Sequence, residues 1–291
     1  MNTEKSYENF ADLRHFAEKY LPQIEKSLRE YLPPAPPKIE KEFNQAVESA
    51  LFSGEKRLRP ILTLLGAELF GGKAQDVLPS AAAVEFIYTS STILEDLSFF
   101  NHRKISRENI SSGEQYGEGL TVLVALSLLN TAYPLVFVNH IGMPERAMQA
   151  HAEIVECVGA SGLIAGQTVR FNIAIGAEAN DFADDFYIES TKSLKTSALM
   201  RLALRVGAIL GGADYLDSAN LARFAGYFGD AYQISEDLAV SQANNSTRNE
   251  INNLVEEAKR FLIENFPSNE ARSCLIQLTE YLAEEKNNDG K

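Results

Sequence analysis

Three observations predict an all-α fold, a single domain over 1–291 built as a bundle of about ten helices. Apolar residues recur at helical spacing in nearly every long segment, and convincing alternation at period two is absent. Half of the ten prolines lie between Pro22 and Pro37, which leaves the rest of the chain nearly free of helix breakers. The runs "LPSAAAVEFIY" and "TSALMRLALRVGAILGG" set small residues at helix-packing spacing, so that backbones can approach closely.

The elements follow in order. Phe10 to Tyr31 reads as an amphipathic helix, and "YLPPAPPK" ends it because proline has no amide donor and a fixed φ. Residues 1–38 are thus expected to form an N-terminal helix and a proline-rich linker packed on the rest. Ile39 to Phe52, Leu58 to Phe70 and Val77 to Leu97 are predicted helices, separated by "SGEKRLRP" and "FGGK". Gly119 to Val138 contains no charged residue over a length that could span a bilayer. Asn130, Thr131 and Pro134 within it, and the lack of a basic flank, favour a buried central helix that is apolar on all sides. A helix from Glu145 into the 160s comes next, then one opening after "NDFADDF", whose acids read as N-terminal caps and dipole partners. Leu194 to Leu210, Ser218 to Val240, Asn249 to Phe266 and Glu270 to Glu285 complete the set.

Composition narrows the function. The chain is 45% apolar and 23% charged, as soluble globular proteins are. A formal charge of -13 speaks against a nucleic-acid or anionic-membrane surface, though a local basic pocket for a small anion remains open. Cys157 and Cys274 suit a reducing compartment, and the polar N-terminus does not read as a signal peptide, so a cytoplasmic location is expected. His15, His102, His140 and His151 share no metal-ligand spacing, and no glycine-rich nucleotide loop is present.

Two kinds of stretch carry chemistry. In "GEKRLRP", Lys56, Arg57 and Arg59 place three cations beside a helix N-terminus, a combination suited to a phosphate or diphosphate. A solvated basic turn is the plainer reading of the same residues. The triplet Glu-Asp-Leu occurs twice after apolar residues, at Glu95-Asp96 and at Glu236-Asp237. Adjacent carboxylates repel unless a cation or water separates them, and Mg²⁺ joins one or two carboxylates to substrate phosphates. A single such pair is ordinary, but two on facing helices could clamp a metal–diphosphate cluster. Lys195 and Thr196 open a helix between the pairs, and Gln167 and Gln233 are amides inside apolar helical stretches.

Together these residues resemble the trans-type isoprenyl diphosphate synthases, the polyprenyl synthetase family. "GEKRLRP" is similar to that family's Gly-Gly-Lys-Arg-x-Arg-Pro, and "AAAVEFIYTSSTILEDL" resembles the helix of its first Asp-rich motif. "LIAGQTV", "KTSALM" and "YFGDAYQISEDL" resemble the Gly-Gln helix, the Lys-Thr helix start and the second Asp-rich helix, all in the family's order. The resemblance implies a helical bundle around a central cavity, a Mg²⁺ cofactor, and two substrates. An allylic diphosphate ionises to a cation, the double bond of isopentenyl diphosphate attacks it, and a proton leaves to pyrophosphate, with metal ions as Lewis acids on the leaving group. By the same resemblance Lys56 and Arg59, with Arg57 beside them, hold the isopentenyl diphosphate. Glu95, Asp96, Glu236 and Asp237 are the metal ligands, and Lys195, Thr196 and Gln233 contact the allylic diphosphate. Gln167 belongs to the Gly-Gln helix. Ser91 and Ser90, four and five positions before the first motif, imply products longer than farnesyl. A homodimer through the 119–138 helix is the family's usual assembly; a heteromeric partner is the alternative.

The departures are as informative. Six expected carboxylates have become four, with Glu95 and Glu236 for the leading Asp of each motif. The last position of the first motif falls on Phe99 or Asn101, and that of the second on Val240. Mg²⁺ demands short, near-octahedral oxygen ligands, so such changes weaken a site. The family's His on the first helix is Tyr88, and its arginine pair is replaced by "HRKISR", in which Arg103 and Lys104 are the substitutes. The Lys- and Asp-bearing loop that closes the family's site is replaced by "SQANNSTRNEIN". The functional expectation is a prenyltransferase with impaired activity. The alternative is an inactive homologue acting as a partner subunit or prenyl-ligand binder.

Overall fold

A computed structural model of the chain describes residues 7, 9–53, 56–97, 115–140, 142–174, 185–240 and 245–288; for 169–174, 185–195, 237–240, 245–246 and 284–288 it describes the backbone alone. The described residues form eleven α-helices and a 3-10 turn at Ala74–Val77, with no strand among them. In chain order these are α1 (Ala11–Glu30), α2 (Glu40–Leu51), α3 (Leu58–Leu69), α4 (Leu78–Glu95), α5 (Glu118–Leu135) and α6 (Pro144–Val158). They continue as α7 (Leu163–Ala174), α8 (Asp185–Gly211), α9 (Tyr215–Val240), α10 (Asn245–Asn265) and α11 (Glu270–Asn288).

The centre of the bundle is α3, which buries every residue except Glu68. Its main partner is α8, which also packs on α9 and α6. The two central helices meet backbone to backbone. A Cβ at Gly207 would fall 1.9 Å from the Thr63 carbonyl oxygen, and one at Gly66 would fall 2.4 Å from that of Leu204. No side chain fits at either position, which gives the small residues of both runs their purpose. One connected core joins the ends of the chain, from Tyr7 and Phe10 to Leu278 and Leu282. At that junction Asp12 accepts hydrogen bonds from Ser273 Oγ (2.5 Å) and Gln277 Nε2 (3.0 Å), pinning the start of α1 to α11.

Two expectations need correction. Leu194–Leu210 is not a separate helix, and Lys195 and Thr196 do not open one: both lie inside α8, which runs unbroken from Asp185. No glycine or proline falls between Asp185 and Arg205, so nothing stops the backbone hydrogen-bond ladder there. Nor is the neutral helix buried on all sides. α5 packs mainly on α4, with α2 and α6 at its margins, and leaves Leu123 59% and Leu126 53% exposed. Both α5 and the run Ala74–Glu95 are long and apolar enough to cross a membrane by length and composition; the latter is mostly buried inside the fold, α5 only by a third.

Candidate active site

The basic stretch folds around an unusual backbone. Arg57 caps α3 in the left-handed region, at φ 54°, which turns the chain so that Arg57 and Arg59 both point inward, 4% and 7% exposed. Their fates differ. Arg57 donates from Nε to Glu25 (2.6 Å), from one terminal nitrogen to Glu85 (2.9 Å) and from the other to the Leu51 carbonyl (2.6 Å). Burial works against its charge, but the bonds to Glu25 and Glu85 outweigh that and hold its pKa above the ordinary value. This guanidinium is bonded to protein acceptors from α1, α2 and α4, and Arg57 also lines the same cavity as Lys56 and Arg59. Arg57 builds the corner from which those two project.

Arg59 is buried yet its Nε has no hydrogen-bond partner. Its guanidinium lies face-on over the Tyr88 ring, 3.4 Å from the centroid. A buried polar donor is normally satisfied, because leaving it dry costs about 1–3 kcal/mol. Arg59 lines a cavity of about 340 Å³ together with Lys56, Tyr88, Tyr232, Glu236 and Tyr281, among others. Lys56 is exposed, with Nζ 3.4 Å from the Tyr281 hydroxyl. Burial pushes the Tyr232 phenol well up, against the pull of the Arg59 charge, so it stays a neutral hydroxyl across the physiological range. A small space with a buried donor, a flexible cation and neutral hydroxyls suits an anionic oxygen group.

The two acidic stretches land in different places. Glu95 is 7% exposed and accepts from Gln167 Nε2 and from Ser91 Oγ (3.4 Å). Gln167 Nε2 also lies 3.3 Å from Ser91 Oγ, while Gln167 Oε1 is buried without a partner. The structure therefore brings Ser91, Glu95 and Gln167 together as one hydrogen-bonded cluster between α4 and α7. Ser90 is drawn elsewhere, donating to the Ala125 carbonyl on α5 (2.9 Å). Asp96 is exposed at the end of α4. Glu236, by contrast, is exposed on the cavity beside Lys56 and Arg59. Thr196 donates to Gln233 Oε1 (2.6 Å), tying α8 to α9. The backbones of Lys195 and Asp237 lie in α8 and α9, but their side chains, and all of Arg103 and Lys104, fall outside the described residues.

Among the described residues no three of His, Cys, Asp and Glu come together as a metal-binding group. Glu95 is committed to Gln167 and Ser91, and Asp96 and Glu236 do not join it. Glu95, Asp96 and Glu236 are the members of the two acidic pairs whose side chains are described; that of Asp237 lies outside the described residues.

Several contributing residues carried no sequence signal of their own. Glu25 and Glu85 pair with Arg57 from 32 and 28 residues away. Tyr281 meets Lys56 across 225 residues of chain. Asp230 was within reach: it sits three and seven residues before Gln233 and Asp237, hence on their helix face, and it accepts from Ser197 Oγ at 3.0 Å.

This chain is similar in sequence to a chloroplastic geranylgeranyl pyrophosphate synthase of Capsicum annuum, 32% identical over 201 residues, 67% of this chain and 52% of the relative. It is 31% identical over 215 residues to the heterodimeric geranylgeranyl pyrophosphate synthase large subunit 2 of Arabidopsis thaliana, 74% of this chain and 56% of that one. The chain thus spans about half the length of the curated relatives it matches. In fold it is similar to an FPP/GFPP synthase of Zymomonas mobilis, with a TM-score of 0.81 at 23% identity over 94% of this chain and 99% of the other. A geranyltransferase of Legionella pneumophila gives 0.79 at 21% over 96% and 99%. Proteins of this kind join an allylic diphosphate to isopentenyl diphosphate and depend on Mg²⁺. With residues 40–288 matching the polyprenyl synthetase model and the all-helical isoprenyl synthase fold in place, the chain belongs to the polyprenyl synthetase family.

Proposed function

We propose that the chain is an isoprenyl diphosphate synthase-type prenyltransferase of reduced activity, which binds isopentenyl diphosphate in the Lys56–Arg59 cavity. The observation that carries this is the buried, unpartnered Nε of Arg59, which an anionic oxygen would satisfy. Lys56 supplies a mobile second charge and the neutral Tyr232 a hydroxyl, so both oxygens of a phosphate edge can be met. The Thr196–Gln233 pair, with Lys195, is the set proposed to contact the allylic diphosphate. What a divalent ion supplies, when bound with that diphosphate, is charge neutralisation on the leaving group.

A second reading, a non-catalytic partner subunit or prenyl-ligand binder, is favoured by one specific observation. Glu95, which heads the first acidic motif, is buried and held by Gln167 rather than presented to solvent. The two readings separate in one assay of Mg²⁺, allylic diphosphates and labelled isopentenyl diphosphate. Mg²⁺-dependent elongation supports the first. Binding of isopentenyl diphosphate without elongation from any primer supports the second, and no binding at all sinks both.

The exposed face of α5, with Leu123 and Leu126, is proposed to pair with a second copy or a related subunit. Leu126→Glu is then expected to halve the mass measured by light scattering; an unchanged mass rules this face out. A cytoplasmic location is proposed from two buried free thiols, although the relatives' names place them in chloroplasts.

A further inference from the structure

The head of α3 poses a physical question. Arg57 and Arg59 are both buried, but Arg57 is fixed by three hydrogen bonds and Arg59 by an aromatic face. A carboxylate beside Arg59 would orient it equally well but would neutralise the charge that an incoming anion needs. A ring does not. The π face of a tyrosine attracts the cation and fixes its plane while leaving every N–H available in the guanidinium plane. The 3.4 Å separation of Arg59 Cζ from the Tyr88 centroid is a stacked arrangement, and Tyr88 rides on α4, which packs against α3. Glu85, one turn earlier on α4, is already engaged by Arg57. Glu236 lies on the cavity but is exposed, where water screens it.

We propose that Tyr88 is a positioning residue for Arg59: its ring holds the guanidinium in plane at the cavity wall, so that the anion site is built before the anion arrives. This rests on the reading of the cavity as an isopentenyl diphosphate site, and it gives Tyr88 a role through its ring rather than its hydroxyl. The residue then determines how tightly a diphosphate is held without touching it.

The test combines a ligand-free and a ligand-bound readout on the full chain. In ¹⁵N spectra of arginine side chains, with Arg59→Lys assigning the signal, the Arg59 Nε–H is expected to be shifted by the ring. Tyr88→Leu should abolish that shift and Tyr88→Phe should keep it; Tyr88→Met carries the same test should the leucine variant not fold. Calorimetry with isopentenyl diphosphate and with inorganic pyrophosphate should show about tenfold weaker binding for Tyr88→Leu, most of it recovered in Tyr88→Phe. Where turnover is measurable, the loss should fall on KM rather than kcat. An Arg59 signal unmoved by Tyr88→Leu overturns the positioning role. A Phe variant as weak as the Leu variant overturns it too, by showing that the hydroxyl binds directly. A wild-type chain that shows the ring shift but binds neither diphosphate overturns the cavity's function and leaves the stack established.

Discussion

The same tripeptide, Glu-Asp-Leu, ends up closed on one side of the molecule and open on the other. At the end of α4, Glu95 is buried with Gln167 and Ser91. On α9, Glu236 is exposed along a cationic cavity with Arg59 and Lys56. A carboxylate that stays buried must be hydrogen-bonded, and it then acts as a structural acceptor; one left in water keeps its charge available for a ligand. The difference comes from what packs opposite. α7 presents an amide to Glu95, whereas the residues facing Glu236 are cations and tyrosines around an empty space.

Substitutions can break or sharpen this contrast. The largest effect is expected at the buried corner that supports the open side: Arg57→Ala removes the ion pair to Glu85, 1% exposed, with the bonds to Glu25 and the Leu51 carbonyl, and should cost about 3–5 kcal/mol in urea denaturation. A loss under about 1 kcal/mol would mean that the corner is not what holds α3. Next comes the closed side. Glu95→Ala leaves the Gln167 amide only the longer contact to Ser91 and should destabilise the fold by about 1–3 kcal/mol, while Glu236→Ala should stay within about 0.5 kcal/mol. Equal losses at the two sites would erase the distinction. On the open side, Glu236→Gln removes a negative charge from the anion's path. Pyrophosphate binding without Mg²⁺ should tighten by about threefold, whereas a weaker Mg²⁺-dependent affinity in the same variant would identify Glu236 as a metal ligand.

The smallest effect is one of pH. The Tyr232 phenol is raised by burial, so above about pH 10 the unfolded chain loses this proton first and binds fewer protons than the folded one. Its contribution therefore makes stability fall as pH rises beyond that point. Tyr232→Phe should flatten the alkaline slope of the denaturation midpoint; an unaltered slope would show that the phenol is not desolvated.

Much of the fold could be read from the chain because it rests on local rules. Prolines concentrated near the N-terminus, helical spacing and small-residue runs are short-range signals, and they located most helices within a few residues; the exceptions are the helix expected from Glu145 into the 160s, which is two, α6 and α7, parted by Gly159 and Gly162, and the region leading into α8. There two helices are expected, one opening after "NDFADDF" and one from Leu194, but no glycine or proline parts them and α8 runs through as one. The cations of the site were equally visible. Which of them is held by carboxylates and which by a ring was not, since that depends on Glu25, Glu85 and Tyr88, residues far off in sequence.

What the sequence by itself determined is the helical bundle, its family, and the positions at which chemistry is concentrated, because periodicity, breakers and motif order are properties of neighbouring residues. Only the tertiary structure decided that Arg57 is a corner post and Arg59 a dry donor, that Glu95 is sealed while Glu236 stands open, and that α5 keeps a bare face. Each of those outcomes is a matter of burial and of the partner across the gap, and both arise only when distant helices pack.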